Sequence, residues 1–215
     1  MPLLKPELDI WPLNLLDEPS NDENCESSPT KGVETDDCRL VNDNRAFSEP
    51  KFAAIEPWWA LYTLARFEKK LMRKLAEIHI PFYGPTIARR YRSPQGRIRT
   101  SVEPLFPNYV FIMGDEMARY KAVSTGCVSR WMPVADTAEL VTDLRQIRNL
   151  ILTESPLSPE LRLQPGQKVR VKTGVFKGFE GTIIRRENEV RLLISVRYMG
   201  RGASVALDDC QLESI

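Results

Sequence analysis

The sequence predicts an α+β chain with two folded units. The first is an α/β sandwich on a mostly antiparallel sheet over residues 57–152, and the second is a small five-stranded β-barrel over 164–215. Three observations predict it. Apolar spacing between 57 and 152 passes through strand, helix, hairpin, strand and helix patterns; a polar stretch with prolines at 153–163 reads as a linker; and every pattern after it is β. Residues 1–56 form an acidic extension in front of both units.

In the extension, residues 17–50 are rich in Asp, Glu, Asn, Ser and Pro and nearly free of aromatics, the composition of a segment that buries too little apolar surface to offset ordering. Ahead of it, Leu3, Leu4, Ile10, Trp11, Leu13, Leu15 and Leu16 make a small apolar cluster, readable as a short docking motif or as merely sticky surface. Order begins near Pro57. WWALYTL (58–64) is short, aromatic and strand-like. From Arg66 the period changes: Phe67, Leu71, Leu75 and Ile78 share one helical face, Arg66, Lys70, Lys74 and Glu77 share another, and Pro81 ends the run, so 66–78 reads as an amphipathic helix.

A strand through Thr86–Tyr91, the turn SPQG (93–96) and a strand through Ile98–Val102 predict a basic hairpin carrying Arg89, Arg90, Arg92, Arg97 and Arg99. NYVFIM (108–113) is a continuous apolar run suited to a central strand, and Leu140, Leu144, Ile147 and Ile151 mark a second long helix. Beyond the linker, VRV (169–171), EGTIIRR (180–186), the alternating EVRLLISVRYM, SVAL (204–207) and the closing QLESI supply five short strands.

The formal net charge of +1 hides a division. Residues 1–57 hold five Lys/Arg against thirteen Asp/Glu, whereas the remainder holds twenty-five against sixteen, so the body is basic and an anionic partner, nucleic acid above all, is expected for it. Cys25, Cys38, Cys127 and Cys210 are scattered, with no C-x-x-C pair and a single histidine, His79; neither a zinc site nor a disulfide framework is expected, and the chain reads as cytoplasmic with reduced thiols. No apolar run reaches the ~20 residues of a membrane span, and the proline-broken N-terminus lacks the basic start of a secretory signal. No His, Cys or paired-carboxylate constellation points to catalysis or to a cofactor.

KTGVFKGFEGT (172–182) tests a phosphate-binding reading. A P-loop needs G-x-x-x-x-G-K-[ST] opening a helix, so that backbone N–H groups converge on the anion. Here the spacing differs and the β-branched TIIRR follows, so the glycines are expected to shape turns between strands.

Two stretches together resemble the NusG family of transcription elongation factors: WWALYTLARFEKK with EPLFPNYVFI (103–112), similar to its N-terminal NGN domain, and the run from PGQKVRV to the C-terminus, similar to its SH3-like KOW barrel, including Gly200-Arg201 and the final V-x-L-D. The similarity covers about residues 57–215. Asn108, where general NusG proteins usually carry glycine, resembles the L-F-P-N-Y form of the specialised paralog RfaH, and Asn tolerates a left-handed backbone better than other residues with a Cβ.

The resemblance implies a monomeric binding protein. In the family, the N-terminal domain docks an apolar patch on the clamp helices of the large RNA polymerase subunit; Tyr62, Phe106, Pro107, Tyr109 and Phe111 occupy the matching positions. On an unbroken strand Phe106 and Tyr109 point to opposite faces, so part of this set would then be core. Lys70 and Lys74, on the first helix, match residues that touch the non-template DNA strand, with Arg73 a further DNA-binding candidate on that helix, and the hairpin's Arg89 and Arg90 are a second candidate for DNA contact. The barrel is the recruitment module, for a small-subunit ribosomal protein or the termination factor Rho, with Phe176, Phe179, Met199 and Arg201 as its matching residues. Glu103 and Arg191 match a pair that joins the two domains of RfaH in a closed state, while the strongly β-forming VRLLISV favours a permanent barrel over RfaH's helical alternative. MARYKAVSTG (117–126) shows no counterpart of RfaH's His-Thr run. The competing class is a KOW-containing ribosome-associated or RNA-binding protein, against which the LFPNY patch argues.

Overall fold

The structure, a computed structural model, describes residues 8–17, 57–162, 166–186, 189–207 and 211–215. The 17–50 segment, apart from Asp17, and Leu3, Leu4, Cys25, Cys38 and Cys210 lie outside the described residues. Cys127 is a buried free thiol.

The elements of the first unit are β1 (Ile10–Trp11), β2 (Trp58–Thr63), α1 (Glu68–Glu77), β3 (Phe82–Tyr83), β4 (Thr86–Arg92), β5 (Ile98–Pro104), β6 (Tyr109–Met113), α2 (Glu116–Ser124), β7 (Val128–Pro133) and α3 (Thr137–Leu152). Strands β1, β3, β6, β2 and β7 pair in that order into one antiparallel sheet, with the apolar NYVFIM run at its centre as its composition requires. Strands β4 and β5 form a separate two-stranded ribbon.

Alternation along the strands gives the sheet two apolar rows. Trp59, Leu61, Phe82, Val110 and Ile112 pack with Leu71, Met72 and Leu75 of α1. The opposite row, in which Ile10, Tyr83, Phe111 and Ala60 stand side by side, is buried as well. Helix α3 buries Leu140, Leu144 and Ile147. Both later helices start on an aspartate cap: Asp115 accepts from Ala118 N at 2.8 Å and Asp136 from Glu139 N at 2.8 Å.

The expectation of an unordered extension over 1–56 needs correction at residues 8–17. They add β1 to the sheet edge beside β3, bury Leu15 and Leu16, and set Trp11 edge-on to His79 at 5.6 Å. Arg145 of α3 donates to Leu16 O at 2.7 Å, and Arg148 to Leu13 O and Asp17 Oδ1, each at 2.9 Å. Of that apolar cluster, Ile10, Leu15 and Leu16 are thus buried against the chain itself, while Leu13 stays exposed.

The linker also carries structure. β8 (Leu157–Glu160) pairs with β12 (Arg201–Ala206), so the C-terminal sheet has six strands where five were expected. The other four are β9 (Gln167–Val171), β10 (Glu180–Arg186), β11 (Glu189–Val196) and β13 (Leu212–Ser214), and a single 3-10 turn, Arg197–Met199, joins β11 to β12. Val169, Val171, Ile184, Leu192, Ile194, Val196 and Val205 are buried. Leu193 is buried too, breaking the expected in-out alternation, and β11 lies against α3 as well as between its own neighbours. In the 172–182 loop, Gly174 and Gly178 have φ of 88° and 90°, conformations that disfavour any side chain, and strand β10 follows. No helix among the described residues is long and apolar enough to cross a membrane.

Candidate functional site

The LFPNY turn is held from several sides. Asn108 sits at φ 68°, and its N–H donates to Glu68 Oε1 at 2.8 Å while its carbonyl accepts from Thr63 N at 2.9 Å. Glu68, only 5% exposed, is therefore a structural acceptor holding the turn against the start of α1. A further bond from Tyr109 N to Phe106 O, at 3.2 Å, closes the bend.

That bend decides which of the five aromatic and proline positions face outward. Tyr62 and Tyr109 are cross-strand partners, half-buried and edge-to-face at 5.3 Å between centroids, and Pro107 is exposed beside them. Phe106 and Phe111 are core, 2% and 0% exposed. Phe111 shares a row with Tyr109 but is flanked in the sheet by Ala60 and Tyr83, whereas Tyr109 lies at the strand's end. The apolar surface is thus a patch of three residues.

The C-terminal domain reaches this patch. Arg201 places its guanidinium 4.8 Å from the Tyr109 ring centroid and donates to Pro107 O at 3.4 Å. Tyr198 donates its hydroxyl to Pro133 O at 3.0 Å, and Gln146 Oε1 accepts from Glu180 N at 3.4 Å. The strongest contact is at Asp143 of α3, a carboxylate 3% exposed that accepts from Arg197 N at 2.9 Å, Nη2 at 3.0 Å and Nε at 3.4 Å. Glu139 adds a second carboxylate, 2.7 Å from Arg197 Nη1. The hydrogen bonds to Asp143 push the Arg197 pKa above its ordinary value, and burial pushes the Tyr198 hydroxyl up.

Glu103 and Arg191, the expected interdomain pair, are each satisfied at home. Glu103 accepts from Ser101 at 2.7 Å and Arg89 at 3.5 Å; Arg191 reaches Glu189 at 3.0 Å, Ser204 Oγ at 3.0 Å and Ser158 at 3.1 Å. The pair fails because Arg191 is drawn onto strand β8, which the sequence did not disclose. Arg197 performs the joining role, and nothing in the sequence set it apart from Arg191 and Arg201 on either side of it.

The expected barrel surface divides similarly. Phe176 is 7% exposed, held edge-to-face with Phe179 at 6.3 Å, and belongs to the interior; Phe179, Met199 and Arg201 are half-buried. Of the helix cations, Lys70 and Arg73 are exposed, with Lys70 4.8 Å from the Phe67 centroid. Lys74 instead donates to Thr125 O at 2.7 Å, tying α1 to the end of α2. Arg89 and Arg90 stand exposed on the hairpin.

The chain thus joins an antiparallel sandwich, carrying an aromatic-and-proline patch at one corner, to a small β domain set against it. Residues 56–159 match the family described as transcription termination factor nusG. The chain is 28% identical over 173 residues to the transcription termination/antitermination protein NusG of Lactococcus lactis, covering 74% of this chain and 92% of that one. It is 28% identical to the protein of the same name from Vibrio cholerae over 74% and 95% of the two chains, and 32% identical to that of Pasteurella multocida over 55% and 68%. The chain belongs to the NusG family of transcription termination/antitermination proteins.

Proposed function

We propose that this chain acts by binding alone, as an elongation and antitermination factor that docks on the clamp helices of the large RNA polymerase subunit through Tyr62, Pro107 and Tyr109. The observation that carries the reading is the exposed corner these three residues form, a shallow apolar surface with two half-buried rings locked edge-to-face. A helix tip set against such rings suits a hot spot, where truncating one aromatic costs about 2 kcal/mol or more. Phe106 and Phe111 support it from beneath.

The exposed Lys70 and Arg73 on α1, and Arg89 and Arg90 on the hairpin, face DNA in the complex. The C-terminal domain recruits a ribosomal or termination partner through Phe179, Met199 and Arg201. Arg201 engages Pro107 and Tyr109, so the two docking surfaces cover each other. Polymerase binding then releases the recruiting surface, behaviour that fits a specialised, RfaH-like member, as does the asparagine at 108.

Retention of the full chain on immobilised core RNA polymerase tests this. Wild type should be retained, and Tyr109→Ala and Tyr62→Ala should lose at least tenfold in affinity. Equal retention of wild type and both variants contradicts the reading.

A further inference from the structure

The basic ribbon formed by β4 and β5 stands outside both sheets and both aromatic surfaces. Its 19 residues from Thr86 to Pro104 hold five arginines and one acidic residue, Glu103, which is paired to Arg89 near the base. Among the described residues, the guanidinium groups of Arg90, Arg92, Arg97 and Arg99 have no carboxylate partner. Four cations on one projection with no carboxylate beside them among the described residues repel one another.

The register distributes them. Arg90 and Arg92 share a face with Ile98 and Thr100, while Tyr91 stands opposite Arg99 on the other. Ile98 is 72% exposed and Tyr91 47% exposed. At the tip, Ser93 and Arg97 hold a turn closed by Ser93 N to Arg97 O, Gly96 N to Ser93 O, both 2.8 Å, and Arg97 N to Ser93 Oγ at 3.2 Å. The ribbon is pre-shaped and needs little ordering on binding.

From this geometry we infer that the β4–β5 ribbon is a duplex-DNA arm that inserts into the major groove, with Arg92, Arg97 and Arg99 at its leading end. The inference rests on the nucleic-acid contact proposed above for Arg89 and Arg90 and specifies its substrate. The major groove of B-form DNA, roughly 12 Å wide, admits a two-stranded ribbon, and arginines lining both ribbon faces then meet guanine edges and flanking phosphates. Ile98 has the apolar character that contacts a thymine methyl. A single strand is disfavoured, because stacking needs a run of aromatic platforms and the ribbon offers only Tyr91. Duplex RNA is disfavoured because its A-form major groove is too deep and narrow for side chains to read.

Fluorescence anisotropy of the full chain tests the arm, using a labelled 20-base-pair DNA duplex, its single strand, and the RNA duplex of the same sequence. The DNA duplex should bind at least tenfold tighter than the other two. The triple variant Arg92→Gln, Arg97→Gln, Arg99→Gln should lose at least tenfold, with the slope of log affinity against log salt falling by roughly two to three, while Lys121→Gln with Arg185→Gln, which lie outside every surface proposed for DNA, changes duplex affinity less than twofold. All five side chains are exposed, so circular dichroism should show the variants folded. Equal or tighter binding of the RNA duplex or single strand, or a triple variant within twofold of wild type, overturns the inference. Retention on core polymerase by the triple variant separates this outcome from failure of the docking patch.

Discussion

Asn108 concentrates the logic of the LFPNY turn in one residue. A left-handed backbone costs an ordinary L-residue about 1–2 kcal/mol, and Asn is among the few that adopt it with ease. Its backbone N–H and carbonyl are both engaged, by Glu68 and Thr63. Asn108→Gly should therefore change stability by less than about 1 kcal/mol, while the β-branched Asn108→Val should cost about 2 kcal/mol, as read from urea unfolding midpoints. The left-handed turn was legible because the residue type announces it. The burial of Phe106 and Phe111 was not, because a five-residue match cannot say where a bend turns one ring inward or which neighbours flank another. Phe106→Ala should lose about 3–5 kcal/mol of stability and is unsuited to testing polymerase contact, whereas Tyr109→Ala leaves the core intact.

Among the elements, those with a marked local pattern were readable, and α2, β1, β3, β7 and β8 were not. Helices α1 and α3 have a one-sided apolar pattern, and β2, β6 and the hairpin have composition and turns in agreement. Helix α2 escaped because Met117 and Tyr120 face solvent and blur its period, leaving only the Asp115 cap as a signal. Strands β1, β3 and β8 have two to four residues each and are set by pairing with distant partners, information that no local window contains. Strand β1 brings Asp9 with it: burial raises the Asp9 pKa above its ordinary 3.8, even though Thr86 donates to its carboxylate at 3.3 Å. A carboxyl with a raised folded-state pKa favours the fold at low pH, and that contribution is lost as pH rises through the folded value. Asp9→Asn should therefore raise the melting temperature at pH 7, with the gain shrinking as pH falls towards 4. A variant less stable at pH 7, or a difference independent of pH, would show that Asp9 is not held as the structure has it.

Over the whole molecule, α3 is the shared support. One flank holds residues 8–17 through Arg145 and Arg148, and another holds the C-terminal domain through Glu139, Asp143 and Gln146. The order of the two domains was readable from composition, but their mutual covering was not, because an arginine on one domain and a carboxylate on the other carry no mark of their pairing. Arg197 is half-exposed, so solvent weakens its ion pairs, and removing it should favour separation of the domains by about 1–2 kcal/mol. Small-angle scattering of Arg197→Ala should accordingly show a larger radius of gyration than wild type.

The affinity of the intact chain for core RNA polymerase, measured side by side for wild type, Arg197→Ala and Tyr109→Ala, tests the mutual covering of the two surfaces most directly. Opening the domains should strengthen binding severalfold in Arg197→Ala, while loss of the ring weakens it at least tenfold in Tyr109→Ala. Unchanged or weaker binding by Arg197→Ala, or wild-type binding by Tyr109→Ala, would contradict it.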